Sequence, residues 1–514
     1  MKKIFMFIAL TFILKSCTEP DFDSTSNNEI ISQNRVVDEH DNYELKKKFA
    51  TALHEAMLNN KELREFLKEE ALIKFNKDYD ILYNYVKSKQ IGNYSFRDIL
   101  LDYFEREEDL AQIESQIPSL TIFVPSLPND SFSAELWNTD EEVPLVAIRL
   151  LNNDKTPIIS SRSENHLLDH NIIPGFPVVV IKENERILTE AHPDYETLDT
   201  DEYRYDGFSF RHIHINFDGL RPQVNITING PIHLVEAWEE YGKHENLGWH
   251  RDYIYYNLQP NSTNGQYIND YKEYVRDFRI EGDTPWIALS NISQPSVIDG
   301  QYLDPELNFV NGSQFYNYAG AEVNQGSFWT DGNFDFEIKL YYDEEATPHK
   351  VPFTAAPESL FEIQYEQIGN LFSFLDVYVV NGISQKTMTL HQELMDWQIH
   401  NVANNFIIDI EEIDSNVKIK ENKSNSYTYN TNFNFSTKIG LELGGSAEIG
   451  GQQSIEVQYN EHGDFLGTAL IRFGDNIIID EHHTSNNGSS FSAYKFRRYD
   501  LGNCSLSLVP VKVQ

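Results

Sequence analysis

The chain has 514 residues, 40% of them hydrophobic and 13% aromatic, which is more than one core usually holds, so several packed units are expected. The 80 acidic residues outweigh the 41 basic ones and leave a formal charge of −39, which repels phosphate backbones and argues against nucleic-acid binding. The abundance of tyrosine and phenylalanine favours β structure.

The first element is a leader. Lys2 and Lys3 precede an apolar run from Ile4 to Leu14, and Leu14-Lys15-Ser16-Cys17 closes it. As a helix the run reaches roughly 16 Å, about half of a hydrocarbon core, so it suits export but cannot span a membrane. Leu14, Ser16 and Cys17 resemble the lipobox of bacterial lipoproteins, with Lys15 where that family favours a small or apolar residue. The resemblance implies cleavage after residue 16 and lipid on the Cys17 thiol. The acidic run Thr18-Glu19-Pro20-Asp21-Phe22-Asp23 is similar to surface-export signals of some Gram-negative lipoproteins. An outer-membrane location on the periplasmic or cell-surface face is therefore the expectation, with the membrane as a partner through the anchor. Only Cys17 and Cys504 are present, so lipid on Cys17 leaves no partner for a disulfide.

Residues 17–40 are rich in Ser, Asn and Asp and read as a flexible tether. From Asn42 to about Ser88 the spacing of Leu45, Phe49, Leu53, Ala56 and Met57, then Leu63, Phe66, Leu67, Ala71 and Leu72, predicts amphipathic helices. Asn59-Asn60 should break them, and Ser95-Phe96-Arg97-Asp98 should cap another. This helical unit, 41–117, ends near Pro118. Past it the period becomes two, with strands expected at Leu120–Val124, Val143–Leu150, Pro177–Ile181, Phe208–Phe217 and Val224–Ile228. Ile232–Tyr241 reads as either helix or strand. Further strands are expected at Trp286–Leu289, Phe334–Tyr342, Leu360–Tyr365, Val377–Val380 and Phe406–Ile413. The expected class is α+β, mostly β: the helical unit, antiparallel sandwich or barrel-like modules at 118–235 and 236–415, and a C-terminal β-meander at 416–514.

That last region carries the strictest alternation. Tyr427, Tyr429, Thr431, Phe433, Phe435, Thr437, Ile439, Leu441 and Leu443 occupy every odd position, with a weaker return from Ala447 to Tyr459. The pattern looks like the membrane-inserting hairpins of β-pore-forming proteins, aerolysin-like ones included, where one face meets lipid and the other water. A sheet with one face on a core alternates identically.

Histidines are the next candidates. His212 and His214 flank Ile213 in an expected strand, so both imidazoles should point the same way. With His244 and His250 downstream they form a candidate zinc set, and His482 and His483 are further ligands to consider. The helical zinc motif is absent, because Gly248 stands four residues after His244. Paired strand histidines otherwise serve as surface or interface residues, so no metal is assigned. Calcium is the one ion the acidic runs Asp199-Thr200-Asp201-Glu202 and Asp331-Gly332-Asn333-Phe334-Asp335 would suit, although neither fits an EF-hand loop. Nucleophile elbow, phosphate loop and dinucleotide fingerprints are missing, and an enzyme is the less expected class. The leading expectation is a lipid-anchored, extracytoplasmic binding protein for a protein or carbohydrate ligand. The alternatives are a membrane-perturbing protein acting through 427–459, and a secreted hydrolase with a carboxylate or histidine–metal site.

Overall fold

The computed structural model describes residues 25–150, 155–160, 166–169, 172–191, 203–205, 208–221, 232–243, 248–258, 265–283, 285–290, 292, 297–298, 301–302, 307–310, 314–317, 328–342, 348–371, 375–399, 405–413, 422–430, 452–460, 465–486 and 489–513. Helix spans Thr25–Asn59, so regular structure begins upstream of the boundary expected near His40. Its apolar stripe, Leu45, Phe49, Leu53, Ala56 and Met57, is buried throughout, as the helical period requires. Asn60 interrupts it and caps the next helix, Lys61–Ile73, by accepting from the Leu63 amide at 3.0 Å. Ser95 and Asp98 cap each other's amides at 3.1 Å and open Phe96–Leu101. Such a reciprocal cap contributes about 1 kcal/mol. Glu107–Gln116 completes the helical unit.

The unit packs on a six-stranded sheet ordered 80–82, 120–123, 178–183, 145–148, 155–159, 166–169. Its pairs are antiparallel except one: Leu145–Ile148 runs parallel to Val178–Glu183, Leu145 opposite Val178. Val178 to Ile181 are all fully buried, the continuous run of a strand covered on both faces. The long helix reaches the end of this strand, where Lys46 Nζ meets Glu183 Oε1 at 2.8 Å.

Two four-stranded antiparallel sheets form the rest of the core. One is ordered 388–395, 271–280, 504–512, 499–500, the other 349–355, 334–341, 405–412, 465–472. They face each other through Phe278, whose ring centroid lies 5.3 Å from Phe336 and 5.2 Å from Phe353. In Phe334–Tyr341 the apolar residues Phe336, Ile338 and Leu340 are fully buried, and Asp335, Lys339 and Tyr341 beside them are covered as well. Helices Ile232–Lys243 and His250–Tyr256 cover the far face of the first sheet, packing Leu234, Ala237 and Ile254 on Tyr274, Val509 and Val511. One hydrophobic cluster runs from Leu45 to Leu508. The α+β, mostly β class is thus what the chain adopts, and no sheet closes into a barrel among the described residues.

Two expected strands are replaced. Trp286–Leu289 lies inside a short helix, Pro285–Ser290: proline is at home in a helix's first turn, and a four-residue apolar run has no period to decide it. Phe208–Phe217 stops as a strand at His212 and curls into a 3-10 turn at Ile215–Phe217. Val224–Ile228 lies outside the described residues. Strand 361–371 pairs with 375–385, which also pairs with Ile173–Pro174 in a three-stranded sheet, while 422–430 with 452–460 and 478–486 with 489–496 form two-stranded ribbons. No helix of the described residues is long and apolar enough to cross a membrane.

Candidate functional site

Charged side chains gather where the helical unit, the six-stranded sheet and the start of Phe334–Tyr341 meet. Lys182 directly follows the buried run Val178–Ile181 and is itself fully buried. Its neighbour Glu183 points to the opposite face, toward Lys46, as strand geometry dictates. Lys182 Nζ lies 3.2 Å from Asp80 Oδ1 and 2.8 Å from Glu185 Oε1. It also donates to the Asp331 carbonyl at 2.9 Å and sits 4.6 Å from the centre of the Phe123 ring. Four residues on, Arg186 is buried as completely. Its Nε donates to Asp335 Oδ2 at 2.7 Å, and its terminal nitrogens to the carbonyls of Asn76 at 3.2 Å and Asn333 at 3.3 Å. Asp78 Oδ2 stands 3.4 Å away, and Arg149 pairs with Asp331.

Amides knit the acids into place. Asn76 donates to Asp80 Oδ2 at 2.8 Å and Asn184 to the same oxygen at 3.3 Å. Asp78 accepts from the Tyr79 amide at 2.8 Å and from the Asn333 amide at 3.0 Å. Gly332 is forced by this arrangement: it has φ +93°, and a Cβ there would stand 2.5 Å from Asp78 Oδ2.

Among the described residues the ion pairs connect five carboxylates, Asp78, Asp80, Glu185, Asp331 and Asp335, with three cations, Arg149, Lys182 and Arg186. Burial pushes Asp80 well above the usual aspartate range; Lys182 opposes that shift, and Glu185 and Asp78 add to it. Asp335 is pushed up to about 6, again chiefly by burial, with Arg186 opposing. Burial alone would lower Lys182, but Asp80, Glu185 and Asp78 outweigh it and hold the ammonium charged. Asp80 Oδ1, Glu185 Oε2 and Asp335 Oδ1 are buried without a hydrogen bond among the described residues. The chemistry such a cluster offers is fastening and proton binding. A second buried pair makes the contrast: Arg251 holds Glu273 at 2.7 and 3.2 Å, one cation to one carboxylate, with the Trp397 ring 4.9 Å beneath.

The expected calcium run 331–335 belongs to this cluster. Its oxygens face Lys182, Arg149 and Arg186, so protein cations stand against the ligands such a loop would offer. The other acidic run, Asp199 to Glu202, lies outside the described residues, as do Cys17 and His244.

The described histidines of the candidate set do not converge. His212 ends its strand 6.1 Å from the Phe75 ring, and burial lowers its pKa. His214 caps the following turn by accepting from the Asn216 amide at 3.1 Å. His250 heads its own helix and accepts from the Ile477 amide at 3.1 Å, between Tyr241 and Trp238. Burial, then Arg251 and Arg497, pushes it down to about 3. Among the described residues no three His, Cys, Asp or Glu side chains are grouped to hold a metal. On the 478–496 ribbon, His483 Nδ1 lies 3.1 Å from Ser492 Oγ and 3.8 Å from Glu481 Oε1. Both partners approach one ring nitrogen, so this trio cannot relay a proton as a serine nucleophile needs.

Of the alternating hairpin, Tyr427 and Tyr429 lie in strand Asn422–Asn430, opposite Ile455 and Gln453. Phe433, Phe435, Ile439, Leu441 and Leu443 lie outside the described residues. Of the junction, the sequence singled out the run 331–335, as a calcium loop; the remaining signal is a lysine abutting four aliphatics at 178–181. Compared with known proteins, the chain matches no family model, no curated protein and no solved structure.

Proposed function

We propose that this chain is a lipid-anchored binding protein held outside the cytoplasm of a Gram-negative bacterium. The observation that carries the reading is the leader ending Leu14-Lys15-Ser16-Cys17, because one short apolar run and one cysteine supply export and attachment together. The charge of −39 supports it by keeping such a surface soluble beside anionic headgroups. The strand pair of 361–371 and 375–385 is the recognition element we favour. Its exposed Glu362, Gln364, Glu366 and Gln367 form a polar ladder in which Gln367 donates to Asp376 at 2.7 Å and Asn381 to Glu366 at 3.3 Å. Carboxylates and amides in a row suit the hydroxyls of a carbohydrate or the backbone of a protein segment. Labelled palmitate should enter the wild-type protein in cells and not the Cys17→Ala variant. Equal labelling of both, or of neither, would refute the anchor.

A second reading is supported by one pairing. Strand Asn422–Asn430 runs antiparallel to Gln452–Asn460, the arrangement a membrane hairpin through 431–451 requires. On that reading, protein lacking residues 1–17 releases dye from liposomes, and intact liposomes would dismiss it.

A further inference from the structure

We propose that the buried junction is a proton-operated fastening between the helical unit and the Phe334–Tyr341 strand. Among the described residues five carboxylates share three cations there, and three carboxylate oxygens lack any hydrogen bond. Asp331 is 32% exposed, so water can hold its charge. Asp78, Asp80, Glu185 and Asp335, however, are buried or nearly so against three buried cations, and a proton or a cation must balance that surplus. Every side of the cluster is accounted for by named groups. The 76–80 segment brings Asp78 and Asp80, with Lys77 feeling both Arg186 and Asp218. The sheet and the turn after it bring Arg149, Lys182, Glu185 and Arg186, with His212 near enough to feel Asp218, Arg221 and Arg186. The short helix Phe328–Asp331 brings Asp331, and the strand Phe334–Tyr341 brings Asp335.

Protons fit better than a metal ion. Lys182 and Arg186 stand against the oxygens a cation would bind, and no metal-holding group of three exists among the described residues. A proton on Asp80 or Asp335 relieves the repulsion without moving a side chain. Losing it leaves the acids facing one another across the seam that joins Asp78 to Asn333 at 3.0 Å.

The direction of the raised aspartate values agrees. A carboxyl with a folded-state pKa above its unfolded value binds a proton in the folded chain where the unfolded chain has released it. Its contribution to stability therefore declines as pH rises from the ordinary aspartate range through the folded value.

The test uses the full chain in detergent. Between about pH 5.5 and about pH 8.5 the wild-type unfolding midpoint should fall by about 2 °C or more relative to Asp80→Asn and Asp335→Asn. Amides at 80–82 and 334–336 should lose protection after the intrinsic rise in exchange rate is divided out. In Asp80→Asn and Asp335→Asn the neutral amide replaces the protonated acid, so the difference between the two pH values should shrink. Aspartates elsewhere keep their share in wild type and variants alike. An unchanged difference in both variants overturns the proposal. Should the variants fail to fold, infrared spectroscopy of a chain carrying Asp252→Asn and Asp409→Asn, which removes the other aspartates that burial raises, decides it. A protonated-carboxyl band at the lower pH that disappears at the higher one supports it, and its absence at both overturns it. Restoration of the midpoint at high pH by added calcium or magnesium overturns it in favour of a bound cation.

Discussion

Arg186 and Asp335 meet at 2.7 Å although 149 residues of sequence separate them, and both side chains are buried. The guanidinium spans three segments at once, since Asn76 and Asn333 lend it carbonyls and Asp78 a carboxylate. Removing it strands two carboxylates in the interior, which costs about 3–5 kcal/mol. Arg186→Met should therefore lose that much in denaturant unfolding, whereas Asp335→Asn leaves Arg186 with Asp78 and should lose less than half as much. Equal losses would mean that Asp335 is the arginine's whole support.

Two glycines should respond to alanine with opposite signs. Gly332 has φ +93° and Asp78 Oδ2 would lie 2.5 Å from a new Cβ, so Gly332→Ala should destabilise by about 1–3 kcal/mol. At Gly242, in helix Ile232–Lys243, nothing lies within 4 Å of the added methyl. Gly242→Ala should stabilise by about 0.5 kcal/mol through the unfolded chain's lost freedom. Thermal unfolding of the two variants side by side reads both signs.

How far the sequence carried this structure is clearest residue by residue. The helical stripe from Leu45 to Met57 is buried as its spacing requires, and Ser95 caps where a serine three residues before an aspartate should. Leu72, placed on the same stripe, is 41% exposed, because it lies about two and a half turns beyond Leu63 and so faces away from the buried Leu63, Leu67 and Ala71. His212 and His214 were expected to point together, but that inference needed the strand to continue. His214 itself ends it by capping the turn that follows. That the acids of 331–335 join Asp78 and Asp80 in a buried ion-pair cluster could not be read for a more general reason. In a chain with 80 acids, a charged residue ordinarily lies at the surface, and only long-range pairing selects Asp78, Asp80 and Asp335 to turn inward.

His250 should stay neutral well into the acid range. Its Nδ1 accepts from the Ile477 amide, which leaves the proton on Nε2. Burial and two neighbouring arginines push its pKa down to about 3. Between that value and 6.5 the unfolded chain binds a proton there that the folded chain refuses, so this residue's contribution grows as pH rises through that window and is complete above it. Nitrogen NMR should show the Nε2–H tautomer with unprotonated Nδ1 at about pH 5. An imidazolium at that pH would show that the site opens to water.

Counting thiols tests the burial of Cys504 and the lipid on Cys17 together. Cys504 is fully buried in the strand Cys504–Lys512, and burial, with Glu281 and Asp500 nearby, pushes its thiol far above the ordinary range. A thiol held protonated and covered does not attack a disulfide reagent. Folded protein from the native host should therefore give no reaction within minutes. Unfolding should expose one thiol per chain if Cys17 carries its lipid as a thioether, since the chain has only two cysteines. The same chain made without lipoprotein processing should give two. Reaction of folded, processed protein would place Cys504 in contact with solvent. Two thiols from the processed chain after unfolding would leave Cys17 unmodified and remove the anchor.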